Sequence, residues 1–227
     1  MYILGTKVYV ACGNRYGTGK MKGWGLSPDK ITYSLYTDNS GNYISLEETS
    51  GPLTDISFVK NMKKLNSLHI DSQRKLKDIS PLSGMTSIKS IILDRNGIVD
   101  ISPLENMTQL TSLHLFYNSI TDISAVKNMK NLYTLYFGNN KVSDISAVAG
   151  LTELRNLWIE ENPIHDISAV SGLTLLSQFV AGECGFSDIS ALSKLTALED
   201  VSLEDNNISD IIALTNCTNI EKLYLLN

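Results

Sequence analysis

The strongest constraint on how this chain folds is a short motif that returns at a fixed interval. Asp-Ile-Ser begins at Asp55, Asp78, Asp100, Asp122, Asp144, Asp166 and Asp188, and Asp210-Ile211-Ile212 continues the series. Successive starts are 23 residues apart once and then 22 apart six times. A unit of that length is too small to enclose an apolar side of its own, so its neighbours must supply the cover, and stacked copies share one continuous core. The residues between the motifs fall into matching apolar columns. Leu110, Leu132, Leu154, Leu176 and Leu198 form one, Leu113, Leu135, Leu157, Phe179 and Val201 a second, and Ile123, Ile145, Ile167 and Ile189 a third. Met107, Met129, Leu151, Leu173, Leu195 and Cys217 make a fourth, which reads Cys217 as a small core residue rather than a reactive thiol.

Inside one unit the pattern changes twice. Leu110 to Leu115 (Leu-Thr-Ser-Leu-His-Leu) contains a period-two alternation, the mark of a short strand with Leu113 and Leu115 turned inward, and successive copies would pair in parallel. A turn follows at Asn96, Asn118, Asn140, Asn162 and Asn206, where a side-chain amide can satisfy buried backbone groups of adjacent units. Cys184 takes the asparagine's place once, and the weaker thiol donor should tie that unit less firmly. Next, Ser102-Pro103-Leu104-Glu105 combines a serine N-cap, a proline at the first helical position and a capping-box glutamate. A short helical turn is expected there, on the outside of the stack. Ser124-Ala125 and Ser146-Ala147 keep the cap without the proline.

The unit, of the form T-D-I-S-P-L-x-x-L-T-x-L-x-x-L-x-L-x-x-N-x-I, resembles that of the internalin family of bacterial leucine-rich-repeat surface proteins. The likeness runs from about Leu53 to Asn227 and includes the Asp-Ile-Ser-Pro-Leu corners at Asp78 and Asp100. The resemblance implies an α/β leucine-rich-repeat solenoid: a curved horseshoe with a parallel concave β-sheet and short helical or 3-10 turns on the convex side. It further implies display on a bacterial surface and recognition of a protein on the concave face. The chain departs from that family at its front, where internalins carry a helical cap and this sequence is rich in Gly and Tyr.

Two parts are therefore expected: residues 1–50 as a β-rich N-terminal cap, and residues 51–227 as a domain of about eight repeats. Ile31 to Tyr36 and Tyr43 to Leu46 flank a run of turn formers, Thr37 to Asn42, which predicts a β-hairpin. At the other end Ile220, Leu223 and Leu225 start an eighth strand with no polar capping unit behind it. That leaves either a fragment of a longer protein or an end covered by another chain, and self-association through it is one expected consequence. Met1 to Cys12 lacks the cationic start and long apolar run of a signal peptide, and the lipoprotein-like Val10-Ala11-Cys12 is preceded by a stretch that Gly5, Thr6 and Lys7 interrupt.

Side chains between the core positions of each strand have no task in the core, so their identity bears on function. The central column reads His69, Ile92, His114, Tyr136, Trp158, Val180, Ser202 and Tyr224. Two residues further on stand Asp71, Asp94, Phe116, Gly138, Glu160, Gly182, Glu204 and Leu226, and beside them Arg95, Tyr117, Asn139, Glu161, Glu183 and Asp205. With strands about 4.8 Å apart, His114, Phe116, Tyr117, Tyr136 and Trp158 would make one aromatic patch. Glu160, Glu161, Glu183, Asp200, Glu204 and Asp205 would form an acidic half beside it. Rings of this kind anchor protein interfaces. The expected partner is a protein, such as one on a host cell, that sets an apolar or aromatic group in the patch and basic residues against the acids; Tyr224 is a further contact candidate. Cross-strand aromatic pairs that only stabilise the sheet are the competing explanation.

Other functions find little support. The formal net charge of -5 disfavours nucleic acid and anionic membranes as partners, and no apolar run approaches the roughly 20 residues of a membrane span. Gly13 to Met21 resembles a phosphate loop, but the first glycine comes one position early and Met21 stands where Ser or Thr would bind magnesium. His69 and His114 would lie roughly 10 Å apart, too far to share a metal, and His165 falls in a loop. The three cysteines, Cys12, Cys184 and Cys217, make neither a disulfide framework nor a zinc spacing. The Asp55 to Asp210 column reads as a ladder for loop and cap hydrogen bonds. No catalytic residues, cofactor or metal are expected, and the location expected is extracellular or bacterial cell-surface. The alternatives are a cytoplasmic scaffold or regulatory subunit, since similar repeats serve eukaryotic phosphatase regulation, and an architectural, self-assembling surface protein.

Overall fold

The computed structural model of the protein describes residues 2–3, 6–7, 33–36, 43–48, 54–62, 65–71 and 74–226. The phosphate-loop-like stretch, Val10 to Cys12 and the turn between the hairpin strands lie outside them. Strands β1 (Tyr2–Ile3) and β2 (Thr6–Lys7) pair antiparallel. Then β3 (Tyr33–Tyr36) and β4 (Tyr43–Glu48) form the expected hairpin. The repeats supply β5 (Ser67–Ile70), β6 (Ser90–Ile92), β7 (Ser112–His114), β8 (Thr134–Tyr136), β9 (Asn156–Trp158), β10 (Gln178–Val180), β11 (Asp200–Ser202) and β12 (Lys222–Tyr224). From β4 onward neighbours pair in parallel and in sequence order, giving an open sheet in which each strand of the hairpin and repeats lies beside the next.

The register carries the repeat into space. Leu113 pairs with Leu135, Leu135 with Leu157, Leu157 with Phe179 and Phe179 with Val201, so the sequence columns become stacked rows. All five are fully buried, and so are Leu110, Leu115, Leu132 and Leu154. Cys217 is buried in its column as well. The last unit is less covered: Ile211, Ile212, Leu223, Tyr224 and Leu226 are exposed, although Ile167 and Ile189, at the position of Ile211, are buried.

The asparagine ladder works as a two-way clamp. Asn140 donates to the carbonyls of Leu115, Phe137 and Gly138, while its Oδ1 accepts the Ile120 N–H of the preceding unit. Asn162 repeats this with Phe137, Ile159, Glu160 and Val142. At Cys184 the clamp is incomplete. The thiol donates weakly to the Ile159 and Gly182 carbonyls at 3.4 Å, and having no carbonyl oxygen it leaves the Ile164 N–H to turn back on Asn162 O. A second ladder weakens at the same place. Gly97, Ser119, Lys141 and Asn207 each donate a backbone N–H to the unit before, but Pro163 has none to give and Gly185 N–H goes to Asn206 Oδ1 instead.

On the convex side the structure corrects the expected cap. The outer turns are 3-10, three to five residues long, and serine is their first residue rather than their N-cap. The aspartate two residues earlier does the capping: Asp100 Oδ1 accepts the Ser102 N–H at 2.7 Å, and Asp122, Asp144, Asp166 and Asp188 do the same in their units. Glu105 makes no capping box, because the N–H it would reach is already held by Asp100 and its carboxylate accepts from Asn106 instead. These bonds to the ionised form hold the Asp78, Asp100, Asp144 and Asp188 carboxyls below the usual carboxylate range.

Candidate concave-face interface

Alternation decides what reaches the solvent side of the sheet. In β7 and its continuation Leu113 and Leu115 are buried, His114 and Phe116 half-buried, and Tyr117 exposed. In-register pairing then sets His114 beside Tyr136 and Tyr136 beside Trp158. The rings meet: centroids are 4.5 Å apart for His114 and Tyr136, and 4.6 Å for the stacked Tyr136 and Trp158. Phe116 closes the group at 5.5 Å from Tyr136 and 5.9 Å from Trp158, edge-on to the indole. Tyr117 is attached at its margin, 6.5 Å from Phe116, with the Arg95 guanidinium 5.0 Å from its ring centroid.

The acidic residues divide. Glu160 belongs to the ring group, because Gly138 leaves a notch on the neighbouring strand that its carboxylate fills. A Cβ on Gly138 would stand 2.6 Å from Glu160 Cδ and 2.8 Å from both Glu160 Oε2 and Phe116 Cε1. Glu160 Oε2 and Trp158 Nε1 are buried there without a hydrogen-bond partner. Glu161 and Glu183 stand apart, exposed on the corner after the strands, where with Asp205 they border an open groove of about 510 Å³. Glu204 is half-buried and accepts the Ser202 hydroxyl at 3.3 Å. Asp200 is paired with Lys222 at 3.3 Å, the only ion pair among the described residues. Tyr224 is not brought to the rings: Val180 and Ser202 stand between it and Trp158 in the register.

Three features escaped the sequence. The notch at Gly138 is visible only once strands are in register. Arg95, Tyr117, Asn139, Glu161, Glu183 and Asp205 all adopt left-handed backbone, φ 52 to 56°, a conformation that favours Gly or Asn, and only Asn139 hinted at it. Asp94 also caps the Phe116 N–H at 2.8 Å; burial, reinforced by Asp71, pushes its carboxyl up to about 6.

Electrostatically the ring group is driven toward neutrality. Burial, then repulsion from His69, lowers the His114 pKa, while burial, then Glu160, raises that of Tyr136. Burial raises Glu160 against its own backbone hydrogen bond, and Glu161 adds to the rise. Burial likewise pushes the Cys184 thiol up to about 11, so it is a poor nucleophile. Among the described residues no group of three metal-ligating side chains converges, and no helix is long and apolar enough to cross a membrane.

Residues 86–128, 108–151 and 130–174 match the family model described as Leucine Rich repeats (2 copies). No curated protein matches the sequence. Among solved structures, the chain is similar to an internalin (inlF) from Listeria monocytogenes at 33% identity and a TM-score of 0.75, over 81% of this chain and 53% of that one. It thus spans about half of that structure's length. Internalin C2 from the same organism aligns at 29% identity and a TM-score of 0.77, covering 82% of this chain and 81% of the other. The ectodomain of an Arabidopsis thaliana membrane receptor kinase, solved in complex with Casparian strip integrity factor 2, shares the fold at 19% identity and a TM-score of 0.72, over 81% of this chain and 24% of that one. Repeat sequence, open parallel sheet and likeness to the two Listeria structures together make this chain an internalin-like leucine-rich-repeat protein.

Proposed function

We propose that the protein is a non-catalytic recognition module that binds a protein partner with its concave face. The observation that carries this reading is the ring group itself. His114, Phe116, Tyr136 and Trp158 make a continuous half-buried surface on the side of the sheet the aliphatic core does not use. Such rings anchor interfaces at small conformational cost. Glu160, Glu161, Glu183 and Glu204 favour a partner whose contact surface is basic around an apolar centre. Leucine-rich repeats typically serve protein–protein interaction, and the receptor ectodomain with this fold was solved with a partner bound.

Display on a bacterial surface or secretion, with a host surface protein as partner, completes the proposal, and the likeness to Listeria internalins supports it. Residues 1–50 serve in it as the N-terminal cap, a role supported by the pairing of β4 with β5. Self-association through the exposed apolar side chains of the last unit is a further part, which light scattering over a concentration series would read. A photoreactive amino acid at Ser202, on the concave column, should cross-link a protein from an animal-cell surface preparation, whereas the same group at Lys127 on the convex turn should not. Adducts of equal yield at both positions, or at Lys127 alone, would overturn the reading.

A further inference from the structure

A groove with a cationic surplus runs along the N-terminal ends of the repeat strands. Lys89, Thr111, Tyr133 and Arg155 each immediately precede a strand, β6 to β9, and so form a row across four neighbouring repeats. The row borders a groove of about 880 Å³ whose lining also includes Lys130, Asn131 and Glu153. Three cations against one carboxylate leave a positive surplus, although the chain as a whole carries -5. The surplus is local: the row continues as Ser177, Glu199 and Glu221, so the cationic stretch ends at β9.

The groove's charges are available. Lys130 Nζ donates to Gly150 O at 3.0 Å, whereas among the described residues no side chain pairs with the Lys89 ammonium or the Arg155 guanidinium. Asn131 Nδ2 is held by Thr108 O, which fixes the amide and leaves its oxygen to accept. Tyr133 is 46% exposed and, among the described residues, packs in no ring cluster, which leaves its outer face open for stacking. Cations, a fixed amide and an open aromatic face suit a ligand with negative charges, hydroxyls and apolar ring faces together.

We propose that this groove binds an acidic oligosaccharide. Lys89 and Arg155 would hold its carboxylates or sulfates, Tyr133 would stack on a pyranose face, and Asn131 would accept from a hydroxyl. Successive strands lie about 4.8 Å apart, close to the length of one sugar residue, so an extended chain laid across them meets one repeat per residue. A single-stranded nucleic acid fits worse, because it asks for several stacking rings along a longer basic track. The site shares no residue with the ring group and stands whether or not that face binds a protein.

Calorimetric titration of the whole chain tests it with four probes of matched length: a sulfated heparin-derived tetrasaccharide, a carboxylate-only tetragalacturonate, a neutral maltotetraose and a DNA tetranucleotide. Binding of one or both acidic sugars, at least tenfold tighter than the neutral sugar and the tetranucleotide, is the expected result, and the preferred sugar tells sulfate from carboxylate. The double variant Lys89→Ser, Arg155→Ser should weaken it at least tenfold and Tyr133→Ala at least threefold, with Tm unchanged because all three side chains are exposed. No binding of either acidic sugar, equal binding of the tetranucleotide, or variants that bind as the wild type does would each overturn the proposal.

Discussion

Replacing Cys184 by Asn should stabilise the protein, and the size of the gain follows from the ladder. In the unit before, Asn162 donates to Phe137 O at 3.0 Å and Glu160 O at 3.2 Å and accepts the Val142 N–H at 2.9 Å. At the equivalent position Cys184 offers one weak donor to Ile159 O and Gly182 O, and no acceptor for Ile164. An asparagine there would upgrade the donor and recover the acceptor. A buried hydrogen bond is worth about 0.5–1.5 kcal/mol net. Ile164 N–H already has Asn162 O, and burying a more polar side chain offsets part of the gain, so about 1 kcal/mol is the expected balance. For a domain of this size that is about 2–4 °C in Tm. Differential scanning calorimetry reads the shift, and hydrogen exchange at Ile164 should slow. The reverse change, Asn162→Cys, orphans buried carbonyls and the Val142 N–H and should cost about 1–3 kcal/mol. An unchanged or lower Tm for Cys184→Asn would refute the claim that this seam is weak because its amide is missing.

Asp94 has a folded pKa of about 6, above its ordinary 3.8, so its ionisation opposes folding and that part of the stability is lost as pH rises from about 4 to 6. Asp94→Asn keeps the acceptor for Phe116 N–H and should raise Tm at pH 7, with the difference vanishing below pH 4; a constant difference across the range would contradict this. The capping aspartates carry the opposite sign. Their lowered pKa values give stability present at neutral pH and lost in acid, so Asp100→Ala should lower Tm at pH 7 and approach wild type as pH falls through the folded pKa. Gly138→Ala pushes on the flexible end of Glu160 and on Phe116, and should disturb the ring group while moving Tm by only a few degrees; binding to a cross-linked partner should fall at least tenfold.

Much of the scaffold could be read from the sequence, because in a stack of identical units spacing along the chain is position in space. The 22-residue interval places Leu113, Leu135 and Leu157 in one row, and the Asn140 and Asn162 clamps follow from their column. What sequence reading missed depends on geometry finer than the period. Ser102 looked like the cap because serine, proline and glutamate fit the start of an α-helix. A 3-10 turn of three residues starts at the serine itself, and the cap passes to Asp100. The ring patch was visible from alternation, whereas the role of Glu160 was not, since it depends on the absent side chain of Gly138 one strand away. Tyr224 shares the central column and still lies apart from the rings, because three strands of rise separate it from Trp158.

The central claim is that the rings on the concave face recognise a partner while the aliphatic rows behind them carry the fold. Once a partner has been cross-linked at Ser202, its Kd for wild type and for Trp158→Ala, Tyr136→Ala should be measured alongside Tm. Affinity lost by a hundredfold or more, with Tm lowered by no more than a few degrees, is the result this account predicts. Undiminished affinity in a variant whose Tm has dropped steeply would make the rings a structural brace and contradict it.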